Sequence, residues 1–167
     1  MARMARYTLI NPTTGTTQEM GEFELPWSLR PNCILIRGHK HLGIVTHRDL
    51  VLFTRWYAGQ AMARYKYPPE AALAALGLVD RWLEDEGSVT PEELVLAAEE
   101  ASVDDTAIAT ACAAVARTAI GADEAAFWTS WAAGQSSKAI EKAWVTDMEV
   151  SYKSPIEWLL EHLESGK

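Results

Sequence analysis

A chain of 167 residues, 49% of them hydrophobic and carrying a net charge of −8, fits one domain with a core of its own. No apolar run approaches the roughly 18 residues of a membrane span, and Met1–Tyr7 lacks the apolar core of a signal peptide, so a cytoplasmic protein is expected. Cys33 and Cys112 stand far apart without a Cys-x-x-Cys partner, which reads as buried free thiols. The charge is uneven: residues 1–66 hold nine Lys/Arg against four Asp/Glu, and residues 67–167 hold six against nineteen. Basic residues are sparse and scattered through the second half, which argues against direct nucleic-acid binding.

Residues 1–45 are β-prone. Arg6–Ile10 is a short strand, the Asn11-Pro12-Thr13-Thr14-Gly15 run supplies turn chemistry, Gln18–Leu25 can form a second strand, and Cys33–Arg37 is the strongest strand signal. A two- or three-stranded antiparallel sheet, strapped to a helical body by Trp27 and Leu29, is the expected arrangement, because such a sheet is marginal alone.

The helical body, residues 46–167, opens at Thr46 or Asp49, with Leu50, Phe53, Trp56, Tyr57, Ala61 and Arg64 on one stripe until Tyr67-Pro68-Pro69. A second helix starts at Pro69-Glu70 and buries Ala72, Leu76, Val79 and Leu83, with Trp82 at the flank. Gly87 breaks it, and Thr90-Pro91-Glu92-Glu93 is a capping box for a third helix carrying Leu94, Val95, Ala98 and Ala101. Asp104 or Asp105 should cap a fourth, whose Ile108, Ala111, Cys112, Val115 and Ala119 share a face before Gly121.

A fifth helix opens at Ala122-Asp123-Glu124, with Phe127, Trp128, Trp131, Ala132, Ile140 and Trp144 available for burial. Val145–Lys153 either prolongs it or loops, and Ser154-Pro155 restarts a last helix striped by Ile156, Leu159, Leu160 and Leu163. Between Ala71 and Ala143 there are 21 alanines, a composition that favours closely packed helices. The expected fold is mainly α: five to six helices with a small N-terminal antiparallel β element, one domain over residues 1–167. Its core is expected around Leu76, Leu83, Val115, Phe127 and Trp131.

Over residues 49–143, Trp56-Tyr57-Ala58, Tyr67-Pro68-Pro69-Glu70-Ala71 and Val79-Asp80-Arg81-Trp82-Leu83-Glu84-Asp85-Glu86 resemble the alanine-rich helical immunity proteins of bacterial polymorphic toxin systems. The chain departs from that pattern in residues 1–45, in Val145–Lys167 and in Asp85, where the family has glycine. The resemblance implies an all-helical, non-enzymatic protein that neutralises a toxin by binding it.

His39, His41 and His47 form one histidine group, to which Glu22, Glu24 or Asp49 would have to add metal ligands; the spacing matches no zinc signature, and a polar loop is the default. His162 stands alone in the last helix and is expected to be exposed. The carboxylate pairs sit at helix ends or on polar faces, where capping and dipole roles account for them, save Glu99-Glu100, which becomes the strongest acidic contact. No phosphate loop or nucleophile elbow is present, and Cys112 lies in an apolar stripe. No catalytic residue, metal or cofactor is therefore expected. The expected function is an immunity-type inhibitor that binds a partner protein through Glu84, Asp85, Glu86, Glu99 and Glu100, with Trp27 and Trp144 as aromatic anchors. Arg55, Arg64 and Lys66 would supply charged contacts from the basic part. Two alternatives stand beside it: a phage or mobile-element inhibitor of a nucleic-acid-handling complex, of the anti-CRISPR kind, and a small metal-dependent enzyme built on the histidines.

Overall fold

The computed structural model describes residues 6–21, 24–144 and 155–164, with backbone alone for residues 142–144 and 156. The fold is mainly helical with a small antiparallel sheet near the N-terminus, as the alternation of residue types requires. Four strands, β1 (Arg6–Ile10), β2 (Thr17–Gly21), β3 (Cys33–Arg37) and β4 (Lys40–Val45), lie in the order β2-β1-β3-β4, every pair antiparallel. Tyr7, Leu9, Met20, Cys33, Leu35, Leu42 and Val45 form its buried face.

The fourth strand corrects the expected two- or three-stranded sheet. Arg37 pairs with Lys40, so Gly38 and His39 are a two-residue hairpin turn, and Gly38 takes the positive φ of +59° that such turns demand. Polar Lys40 and His41 hid the strand; a bulge between Leu35 and Ile36 turns Leu42 inward beside Gly43. The expected second strand stops at Gly21 and is replaced further on by α1 (Leu25–Ser28), which buries Leu25.

Val45 leads directly into α2 (His47–Met62). Thr46 caps it, and its hydroxyl and the Asp49 carboxylate exchange hydrogen bonds with each other's backbone N–H groups, a complete capping box. The helix ends at Met62, short of Tyr67, where Arg64 donates to the Gln60 carbonyl. Next come α3 (Glu70–Glu84), a single 3-10 turn at Glu86–Ser88, and α4 (Pro91–Ser102), which carries the Thr90–Glu93 capping box.

Helix α5 (Ala107–Ile120) is capped by Thr106, whose hydroxyl accepts from Ala109 N–H. This replaces the expected aspartate cap: Asp104 sits two residues earlier and accepts from Thr106 N–H, which holds its carboxyl below the ordinary range. Helices α6 (Ala125–Trp144) and α7 (Pro155–Glu164) complete the described chain.

Helix α5 is the centre. From Ala107 to Ala119 nearly every side chain is buried, and most are alanine. Helices α3 and α4 lie against it and against each other; α2 and α6 also pack on it and on one another. Helices so apolar all round belong inside, and alanine lets the neighbours approach closely. Arg55 of α2 joins α3 through a two-pronged pair with Asp80, at 2.7 and 3.1 Å.

Helix α7 is pinned on α2 and β4. The Trp158 ring lies between Trp56 and His162, stacked at 5.3 and 5.0 Å, and Leu159 and Leu163 are buried. His162 is not exposed as expected: its Nε2 donates to the buried Asp49 carboxylate at 2.8 Å. The α2 cap and the last helix therefore share one carboxylate.

Candidate functional site

Two surfaces carry the sequence-derived candidates. On the first, α3, α4 and the turn between them place nine carboxylates between Glu70 and Ser102 against Arg81 alone. Two are engaged elsewhere in the chain: Asp80 by Arg55, and Glu86 by Arg48 at 3.6 Å. Arg48 also donates to the Leu83 carbonyl at 2.6 Å, so it covers the C-terminal end of α3. Asp85 turns back on Gly87 N–H, which makes it a cap. Glu84, Glu99 and Glu100 are exposed, and no ion pair involves them among the described residues.

The expected acidic group is therefore two clusters. Glu84–Glu86 lies before α4, and Glu99 and Glu100 lie in its last turn, about 12 Å along the helix from Pro91 at 1.5 Å per residue. On the outward stripe of α4, Leu96 (57% exposed) and Val103 (87% exposed) flank Glu99 and Glu100 at helical spacing.

The second surface is the outer side of α6, and there the structure corrects the sequence reading. Phe127 and Trp131, expected in the core, are 62% and 45% exposed. The inner side of α6 is filled by Ala125, Thr129, Ala132, Ala133, Ser136, Ala139 and Ile140, all buried. Six of those seven are small, and a helix seated that closely on α5 leaves no room for an aromatic ring. The signal was in the sequence: small residues recur at helical spacing and place Phe127 and Trp131 on the opposite side. Leu83, also expected in the core, is half-buried, because Trp82 takes the inner position instead.

Trp27, expected as an aromatic anchor, belongs to this second surface. It is 53% exposed, and its ring lies so close over Gly134 that a Cβ there would stand 2.8 Å from the indole. Trp131 has a hollow of about 270 Å³ on each side. One is walled by Phe127, Trp128 and Arg117, whose guanidinium sits 5.1 Å from the Trp128 ring centroid. The other is walled by Trp27, Gln135 and Lys138. The Trp144 side chain, the second expected anchor, lies outside the described residues.

The other candidates are dispersed. His39 and His41 lie on the β3–β4 hairpin, while His47 Nε2 is 2.7 Å from the Thr118 carbonyl and its ring stands edge-on to Trp82. Among the described residues no three of His, Cys, Asp and Glu converge as metal ligands. Arg55 is committed to Asp80. Cys33 and Cys112 are free and buried. Burial pushes the Cys112 thiol up to about 12, against a smaller opposing pull from Arg55, and also raises Cys33. Neither thiol has the low pKa of a nucleophile. A wider hollow of about 520 Å³ beside the β1–β2 turn is lined by Asn11, Gln18, Arg30 and Cys33, without a base placed against a nucleophile.

The chain matches no family model, no curated protein and no solved structure. No helix among the described residues is long and apolar enough to cross a membrane.

Proposed function

We propose that this chain is a non-enzymatic, immunity-type inhibitor that captures a partner protein bearing a basic face, using the outward surface of α3 and α4. The observation that carries the reading is the α4 stripe of Leu96, Glu99, Glu100 and Val103, which joins exposed apolar side chains to carboxylates that no described residue pairs. Apolar contacts ringed by charge suit a protein interface, in which charge sets the rate of encounter and desolvated side chains set its lifetime. The placement of Glu99 and Glu100 adds support. Acidic side chains in the last turn oppose the helix macrodipole, and no basic residue accompanies them there.

The test begins by capturing the partner from a lysate of the source cells and purifying the complex. Glu84, Glu99 and Glu100 are then replaced together by lysine, with Glu86 left in its pair with Arg48. Association should slow about tenfold or more at low salt, while dissociation changes far less. Raising the salt from about 0.05 to 0.5 M, which shortens the Debye length severalfold, should slow wild-type association in the same way. A complex indifferent to both changes would overturn the acidic face as the binding surface.

A further inference from the structure

The outer side of α6 has a symmetry in its sequence. Counting from Trp131, Phe127 lies four residues before and Gln135 four after, while Glu124 lies seven before and Lys138 seven after. Offsets of four and seven fall on one side of an α-helix. The structure sets Phe127, Trp131, Gln135 and Lys138 on one outward stripe of α6 and Glu124 at the turn residue just before its first position, with Glu124, Phe127, Trp131 and Lys138 exposed and Gln135 half-buried. Its two ends are oppositely charged, about 21 Å apart at 1.5 Å per residue, and its middle is aromatic.

We propose that this stripe is a self-association surface: two copies of the chain pair α6 against α6, antiparallel, with the two-fold axis at Trp131. Antiparallel pairing about that residue brings Glu124 of one copy to Lys138 of the other, and the reverse, so each dimer contains the ion pair twice. Phe127 of one copy meets Gln135 of the other and enters the hollow walled by Trp27, Gln135 and Lys138. Each copy thus presents both the protruding ring and the cavity that takes it, as a two-fold interface requires of a single surface. The two Trp131 rings meet at the centre, where binding energy concentrates.

Two further features fit a second copy. Lys138 forms no ion pair with any described residue and stands at the rim of an aromatic hollow. Glu124 accepts from Trp128 Nε1 at 3.3 Å through one carboxylate oxygen, which leaves the other for a lysine. Parallel pairing would instead align Glu124 with Glu124 and Lys138 with Lys138, so charge selects the antiparallel arrangement. The surface lies on α6, apart from the α3–α4 surface of the preceding section, and the inference does not depend on that one.

The experiment measures the mass of the full chain in solution by sedimentation equilibrium over a wide range of concentration. The wild type should show a reversible monomer–dimer equilibrium, and W131A should weaken dimerisation about thirtyfold or more. E124K and K138E should each weaken it about tenfold, because each variant sets like charges against one another at both ends. Mixed in equal amounts, the two variants should dimerise as heterodimers at close to wild-type strength, since both ion pairs are then present, one as in the wild type and one with its signs exchanged. Circular dichroism of each variant should match the wild type, as all these side chains are exposed. A wild type that stays monomeric throughout would overturn the proposal, including the case in which the stripe serves only a foreign protein. Single variants that dimerise normally, or a mixture that fails to recover, would overturn it equally.

Discussion

Helices α5 and α6 are neighbours in the chain, both rich in alanine, and they are used in opposite ways. Helix α5 is buried almost all round and carries no side chain larger than isoleucine apart from Arg117. Helix α6 buries its small residues and turns Phe127 and Trp131 outward. In this protein, then, bulk does not mark the interior. Where helices approach closely the seam is made of methyl groups, and rings are excluded from it because the interaxial distance follows the side chains at the contact. Among the described residues, the aromatic side chains that reach the core are Tyr7 in the sheet, Phe53 and Tyr57 on α2, and Trp82 near the end of α3, none of them on α5 or α6.

The sharpest way to break this contrast is to exchange the sizes. Ala116→Leu, at a fully buried position of α5, should destabilise the fold by about 3 kcal/mol through overpacking, whereas Trp131→Ala should cost no more than about 1 kcal/mol despite removing far more atoms. Urea unfolding at a protein concentration low enough to keep the chain monomeric gives both numbers. If the tryptophan proved the costlier change, α6 would have an interior role on its outer side.

A smaller effect tests how tightly α5 is sealed. The Cys112 thiol ionises near pH 9 when unfolded and only at about 12 when folded. A raised folded pKa means that its contribution to stability is intact below about pH 9 and lost progressively as the pH rises toward 12. At pH 10.5 the loss from this one group should approach 2 kcal/mol, at 1.36 kcal/mol per pH unit over about one and a half units. Comparing unfolding at pH 8 and 10.5 isolates it: Cys112→Ala should lose that much less than the wild type over the interval, whatever the substitution costs at pH 8. Equal losses in both proteins would mean that water reaches Cys112 in the folded state.

Much of this architecture is legible in the chain because its signals are local. The Thr90 capping box, the Pro155 start and the Gly121 stop are fixed by backbone chemistry within four residues and fall where expected; Thr46, one of two expected openings of α2, is its cap, and Pro69, expected as the first residue of α3, stands one place before it. Most of the differences depend on partners distant in sequence; the α5 cap, Thr106 in place of Asp104 or Asp105, is a local exception. Strand β4 exists because β3 offers it an edge; His162 is held by a carboxylate 113 residues away; Phe127 and Trp131 face outward because α5 brings alanine to the seam. The acidic candidates were legible as charges, but not their engagement: only the folded chain brings Arg48 to Glu86 and separates that cluster from Glu99 and Glu100.

The smallest effect bears on the α3–α4 surface and on why its charges are where they are. Glu99 and Glu100 lie where the macrodipole of α4 is negative, without a cation in that turn, so they weaken the helix that carries them. Replacing both by glutamine keeps size and helix propensity while removing the charge, and should raise stability by about 0.5 kcal/mol. The same variant should bind the captured partner more slowly, in proportion to the charge removed. A protein that becomes more stable and less able to bind has kept those carboxylates at the expense of its own helix. If the glutamine variant were no more stable than the wild type, the unfavourable placement would vanish as an argument, and Leu96 and Val103 would have to carry the α4 surface by apolar contact alone.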